Sequence, residues 1–199
     1  PQDIIKTILD DALWAPSASN QQPWHFFVLT GDPLDDLCVS IQKASHEKKA
    51  VYDPSKGQTI PSVYVDRTRR LFREIRPFLS SLGDAQRSFI ESGSFKFYNA
   101  PVVVFIAMHK RLPTARLMDI GMAAQNIMLS AHAHGLGSCA IALTLLYADV
   151  IGKAIGMPDD FNLVLSIALG YPDAESQINR FRSSREEIEK FVAWCGFES

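Results

Sequence analysis

From Ile120 through Ala148 the chain carries not one Asp, Glu, Lys or Arg, and this run limits the available folds more than any other stretch. Its first part reads DIGMAAQNIMLSAHAHGLGSC from Asp119 to Cys139 and spreads Ile120, Met122, Ala123, Ile127, Met128 and Ala131 around most of a helical wheel. A helix that is apolar nearly all round has to be covered on all sides. A lipid bilayer would give that cover, but Gln125, Asn126, Ser130, His132 and His134 interrupt the run well short of roughly 20 apolar residues. The pattern therefore predicts the central helix of a soluble core. Gly121, Ala123 and Ala124 allow another backbone to come close, so the cover is either the same chain or a second copy, and the residues alone leave both open. Gly135-Leu136-Gly137 ends the helix, because glycine takes the left-handed conformation without steric cost.

The other segments fall into place around it. Ile4, Ile5, Ile8, Leu9 and Ala12 recur at helical spacing, and Ala15-Pro16 closes that helix. Ala15 to Trp24 (APSASNQQPW) is a polar segment between prolines, rich in short hydrogen-bonding side chains. It suits either an ordinary connection or a fixed loop that offers hydroxyls and amides to a ligand. His25 to Leu29 predicts a strand, Leu34, Leu37, Cys38 and Ile41 a helix running toward His46, and Lys48–Gly57 an exposed excursion. Val65–Phe97 predicts one or two helices whose Arg67, Arg69, Arg70, Arg73, Arg76 and Arg87 are offset by Asp66, Glu74, Asp84 and Glu91, a pattern that fits a solvated face better than an anion site. Pro101–Ala107, β-branched at almost every position, predicts a strand covered on both faces. Ser138–Leu143 has no charge and is expected inside; Tyr147–Ile155 is a short helix, Leu163–Leu169 the last strand and Glu186–Phe191 a terminal helix. Few strands and long intervening helices predict an α+β layer rather than serial βαβ units.

Composition enters mainly as exclusion. A formal net charge of −2 gives no electrostatic case for nucleic acid or an anionic membrane, so any bound anion must be met by local cations. Cys38, Cys139 and Cys195 are odd in number and widely spaced, which fits a reducing cytoplasm rather than a disulfide scaffold. The first residues show neither a basic region nor an apolar run of signal-peptide type, and a start at Pro1 leads us to expect further residues upstream.

The chemistry-bearing motifs are also mostly negative. No Gly-x-Gly-x-x-Gly, phosphate loop or Gly-x-Ser-x-Gly is present, which disfavours a dinucleotide fold. His132 and His134 stand two apart on a helix and point to different faces, so they are better read as core or interface residues than as ligands of one metal. Cys139 lacks a basic neighbourhood that would lower its pKa. What remains is a polar loop, a charge-free apolar segment and, in Asn179–Arg185, the three cations Arg180, Arg182 and Arg185. That set suits an organic cofactor carrying its own reactivity, held by an apolar slot, hydrogen bonds and an arginine clamp for phosphate.

Ala15-Pro16-Ser17-Ala18-Ser19-Asn20-Gln21-Gln22-Pro23-Trp24-His25-Phe26, then Asp119-Ile120-Gly121-Met122-Ala123-Ala124-Gln125-Asn126, Gly135-Leu136-Gly137-Ser138-Cys139 and Leu169-Gly170-Tyr171, follow one another in an order that resembles the FMN-dependent nitroreductase family over nearly the whole chain. The tail and the segment ahead of FYNAPVVVFI look most like its nitrobenzoate and nitrophenol reductase branch. The resemblance implies one α+β domain over 1–199, with a mostly antiparallel central sheet flanked by helices and two copies intertwined as a homodimer. Within it, 48–97 would form a helical excursion near the substrate and 172–199 a C-terminal extension.

By the same resemblance, Pro16, Ser17, Ser19 and Asn20 touch the flavin from one subunit, Ala140, Ile141, Ala142 and Leu143 lie along its ring from the other, and Arg180 and Arg182 hold its phosphate. FMN would be the bound cofactor and NADH or NADPH the co-substrate, with electrons passed to a nitroaromatic, quinone or similar small acceptor and no protein side chain assigned a catalytic role. A specialised flavin enzyme of the same fold, such as a reductive dehalogenase or a flavin-cleaving enzyme, and a flavin binder without turnover are the other expectations. Two departures stand out. Family members usually open on an Arg-x-Ser-x-Arg segment that wraps the phosphate, whereas these residues open on Pro1-Gln2-Asp3, and Ala140-Ile141-Ala142-Leu143 stands where many relatives carry Pro-x-Glu-Gly.

Overall fold

A computed structural model of the chain describes residues 1–47, 55, 57–80, 82–83 and 89–197. Most of the expected Lys48–Gly57 excursion lies outside the described residues, as do Asp84 and Arg87. The chain divides into two compact units, one formed by Pro1–Asp53 and Arg87–Pro172, the other by Pro54–Gln86 and Asp173–Ser199.

The first unit is built on four antiparallel strands, β1 (Trp24–Thr30), β2 (Val102–His109), β3 (Gly137–Ile141) and β4 (Phe161–Gly170), in the order β1-β2-β4-β3. The Pro101–Ala107 run lands at the sheet centre as β2, with Val103 to Ala107 fully buried, which is why it reads as continuously apolar rather than alternating. On one face α1 (Gln2–Ala12) and α5 (Leu117–Ala133) cover Trp24, Val104, Ile106, Met108, Ile167 and Leu169. On the other, α2 (Asp32–Glu47), α4 (Phe89–Phe95) and α6 (Ala148–Ala154) contribute Leu34, Leu37, Ile41, Phe95 and Ile151 to a second core with Val103, Phe105, Leu163 and Ala168. Each fully buried Leu, Ile or Phe stabilises the fold by about 1.5–3 kcal/mol.

The chain itself supplies only part of the central helix's expected cover, and the expectation that Ser138–Leu143 lies wholly inside is corrected. The central helix is covered on one side only: Ile120, Ala123, Ala124, Ile127 and Ala131 face the core, while Met118 (71% exposed), Met122 (38%) and Leu129 (57%) face outward. Ser138, Cys139 and Ala140 are exposed as well; β3 is an edge strand with β4 on one side and, among the described residues, no strand on the other. Each run is free of charge, as expected, but the fold of one chain does not bury it.

The second unit packs α3 (Ser62–Leu79) against the C-terminal segment. Of the expected terminal helix only the 3-10 turn Ile188–Lys190 forms. A stretch this short gains too few hydrogen bonds to offset helix nucleation, and Glu186 is engaged instead with Arg67, Arg70 and Lys190. The expected Val65–Phe97 helices appear as α3 and α4, which belong to different units.

Candidate cofactor site

The loop between α1 and β1 holds the polar candidates. Pro16, Ser19 and Asn20 are exposed and Ser17 is half-buried. Ser19, Asn20 and Gln22 all lie in the left-handed region, with φ of 53°, 53° and 47°. A non-glycine residue pays roughly 1–2 kcal/mol to stay there, so the loop must be held by its surroundings. Part of that hold is internal: Asn20 donates its N–H to the Ser17 carbonyl (3.0 Å), Gln21 to that of Ala18 (3.2 Å), and Gln22 to the Ser17 hydroxyl (3.0 Å). The rest comes from Asp119 in the first turn of α5, whose Oδ2 accepts the Ala18 N–H (3.4 Å) and Arg116 Nη1 (3.1 Å). Neither Ser19 nor Asn20 makes a side-chain hydrogen bond within the chain among the described residues, which leaves a hydroxyl and an amide turned to solvent.

The apolar candidates lie on and just beyond β3. Ala140 is exposed, Ala142 and Leu143 are half-buried, and Ile141 points into the core beside Phe105 and Leu163. Only the backbone of Ile141 is therefore available to a ligand. The turn that follows is anchored from inside: the Thr144 hydroxyl bonds to the Ile141 carbonyl (3.2 Å) and lies 3.0 Å from the Ser166 hydroxyl, both side chains being fully buried. Paired with each other, the two hydroxyls avoid the penalty of an unsatisfied buried polar group.

The sheet register fixes how these halves relate. Trp24 pairs with Met108, Met108 with Asn162, and β3 runs so that Ile141 heads toward the same end of the sheet. The Pro16–Asn20 loop and the Ala142–Leu143 turn thus emerge at one end, but on opposite edge strands. Three strand spacings of about 4.8 Å separate those strands, or about 14 Å. Within one chain the polar loop and the apolar edge therefore leave the sheet from strands that are not neighbours.

The cationic candidates belong to the second unit. Arg180 ends the 3-10 turn Gln177–Arg180 and is exposed; Arg182 Nη1 donates to the Asn179 (2.9 Å) and Phe181 (2.7 Å) carbonyls. In the same unit a cavity of about 410 Å³ is lined by Arg67, Arg70, Glu74, Ser184, Arg185 and Phe191, among others. Arg185 lines it while donating to the Ser183 and Ser184 carbonyls. Glu74 accepts the hydroxyl (2.8 Å) and N–H (3.3 Å) of Ser184, which hold its carboxyl below the ordinary range.

Residues with chemistry of their own are quiet by comparison. Burial, and then the Asp35 carboxylate, push the Cys38 thiol up; the protein around Cys139 raises that thiol too, the opposite of what an activated nucleophile needs. Among the described residues no group of His, Cys, Asp and Glu is placed to hold a metal, and no helix is long and apolar enough to cross a membrane. The residue that sequence reasoning passed over is Asp119. Its motif was visible, but its partner Ala18 is 101 positions away, and nothing local in the sequence signals that contact.

Residues 1–171 match the model of the nitroreductase family. The chain is 30% identical to a chloronitrobenzene nitroreductase of Comamonas testosteroni over 98% of its own length and 88% of the relative's. It is 28% identical to a 4-nitrobenzoate reductase of Pseudomonas putida, covering 98% and 87%. Among solved structures it is similar to the FMN-dependent nitroreductase NfnB of Mycobacterium smegmatis in complex with NADPH, with a TM-score of 0.86, 27% identity, and coverage of 98% of this chain and 89% of that one.

Proposed function

The chain belongs to the nitroreductase family, and from that premise we propose that it is an NAD(P)H-dependent FMN oxidoreductase. It reduces nitroaromatics, quinones or related small acceptors and works as a cytoplasmic homodimer. The observation that carries the reading is the division of the site: a polar loop and an apolar edge at one end of the sheet, about 14 Å apart in one chain, together with an outward apolar face on α5. A second copy seated on that face would bring the loop of one protomer to the β3 edge of its partner.

The residues fit FMN by their chemistry. Ser17, Ser19 and Asn20 offer short donors and acceptors suited to the polar edge of a flat ring, and Ala140, Ala142 and Leu143 offer a low apolar surface for its face. Arg180 and Arg182 are the proposed phosphate partners, since a guanidinium fork matches phosphate oxygens. When bound, FMN supplies the redox chemistry, taking two electrons from a reduced nicotinamide nucleotide and passing them to the acceptor. The protein's part is to bind, orient and exclude water. With Ala140-Ile141-Ala142-Leu143 in place of an acidic segment, only backbone N–H groups remain there to contact the ring's polar edge.

A visible spectrum of the purified protein tests the reading. It is expected to show the flavin bands, to bleach with NADH or NADPH, and to recover on addition of a nitroaromatic; a colourless protein that takes up no added FMN overturns it. Arg180→Ala combined with Arg182→Ala is expected to weaken FMN binding by about 10- to 100-fold, in line with about 1.5–3 kcal/mol for a hydrogen bond to a charged group. Unchanged affinity in a fluorescence titration removes the phosphate assignment.

A further inference from the structure

We infer that Asp119 is a positioning residue for the Pro16–Asn20 loop, fixing its backbone through Ala18 and so setting how tightly the loop holds its ligand; the ligand's identity as FMN rests on the function proposed above. Among the described residues Asp119 is the one charged side chain that is buried, at 4% exposure. A buried carboxylate is strongly unfavourable unless it is paired and hydrogen-bonded. Its two partners come from different places: Arg116 lies one turn earlier in sequence, and Ala18 belongs to the loop. Among the described residues every other hydrogen bond of the loop and the two residues after it runs within that segment, from Asn20, Gln21 and Gln22 back to Ser17 and Ala18 or from Gln22 to Asn20. Among the described residues, then, the Asp119 carboxylate is the single polar tie between this loop and the rest of the fold.

The loop needs such a tie. Ser19 and Asn20 within it and Gln22 just after it are held at positive φ without glycine, and a segment of that kind relaxes toward ordinary conformations unless something outside it prevents this. An anchor on α5 suits the task because the inner face of that helix is packed into the core through Ile120, Ala123 and Ala124. Removing the anchor lets the loop sample conformations in which Ser17, Ser19 and Asn20 no longer converge, and the ligand's affinity falls by the fraction of time lost.

The test uses two lesions on opposite sides of the contact. Asp119→Ala removes the acceptor but also strands Arg116, whose Nε is already buried without a hydrogen-bond partner among the described residues, so this variant can fail by misfolding. Ala18→Pro removes the donor and puts its Cδ where the N–H pointed, so the loop is pushed off the carboxylate while both charged groups are kept. Ser17 already has the extended backbone, φ −139° and ψ 143°, that a following proline requires, and Asp119 and Arg116 stay paired. Amide exchange of Asn20, Gln21 and Gln22 is read in the flavin-free chain, and FMN affinity by titration of wild type, both single variants and the double.

The expected result is about ten-fold faster exchange at those amides and about ten-fold weaker FMN binding in each single variant. The double is expected to be no worse than the weaker single, since both lesions break one contact, and the Ala18→Pro melting temperature to stay near that of wild type. Wild-type exchange and affinity in Ala18→Pro overturn the proposal. Should the wild-type protein itself take up no FMN, the cofactor reading fails, and the exchange rates still decide whether Asp119 holds the loop.

Discussion

The Pro16–Gln22 loop and the β3 edge stand at the same end of one sheet, yet they are made in opposite ways. The loop is polar and irregular, with three left-handed residues held in shape by hydrogen bonds and one buried carboxylate. The edge is regular and apolar, its following turn anchored by the Thr144–Ser166 hydroxyl pair and its outer side paired with no strand among the described residues. The first is strained but complete within one chain; the second is relaxed but lacks a cover. Polar groups can be fixed in space only by satisfying their partners, so strain concentrates where hydrogen bonds are offered to a ligand. An apolar wall needs only area, and a second protein surface can supply it.

The sharpest way to break this contrast is to spoil the cover. Met122→Asp places a carboxylate on the outward face of α5, where it does not disturb the chain's own core. At a two-fold interface it would be buried twice, each unpaired charge costing several kcal/mol. We expect a monomer by sedimentation, with flavin-dependent turnover down more than about 100-fold; a dimer that retains its flavin would show that this face is not the interface. A smaller effect is expected on the loop side. Ser19→Gly relieves a left-handed residue, worth roughly 1–2 kcal/mol, against about 0.4–1 kcal/mol for the freer unfolded chain. Stability should therefore be unchanged or slightly higher, while loss of the hydroxyl weakens FMN binding about five-fold. A variant that is both less stable and equally tight would reverse the picture of a strained, ligand-facing loop.

The weakest effect lies in the second unit and depends on pH. Because Ser184 holds the Glu74 carboxyl below its ordinary range, the stability this contact adds is present above that range and is lost as pH falls through the lowered value. The side chain is only half-buried and water screens it, so the gain is small. An acid titration followed by the Ser184 amide NMR shift should show a step below the ordinary glutamate range, and Glu74→Gln should abolish it.

Much of the architecture was legible in the residues. The helical spacing of Ile4 to Ala12, the β-branched run at Pro101–Ala107 and the charge-free segment after Asp119 each found the expected element, with boundaries shifted by a few residues. Burial was less legible, and for a physical reason: an apolar run looks the same whether its own chain or another surface covers it, so Met122 and Ala140 read as interior and lie outside. Glu186–Phe191 had helical residues but too little length. The left-handed turn Phe97-Tyr98-Asn99 carries no glycine to announce it; what accommodates it is Gly93, where an added Cβ would come within 2.5 Å of the Tyr98 ring. The candidate site residues were found by motif, whereas the contact between Asp119 and Ala18 required the fold.

The spacing of the two edge strands also bears on heredity. If each working centre draws its loop from one protomer and its wall from the partner, a chain damaged only in the loop and a chain damaged only at β3 are both inactive alone. Mixed, they form hybrid pairs in which one centre inherits both lesions and the other neither. Random reassortment of equal amounts makes half of the pairs hybrid, so about a quarter of the centres return to full function, and two defective alleles can rescue one another in a single cell.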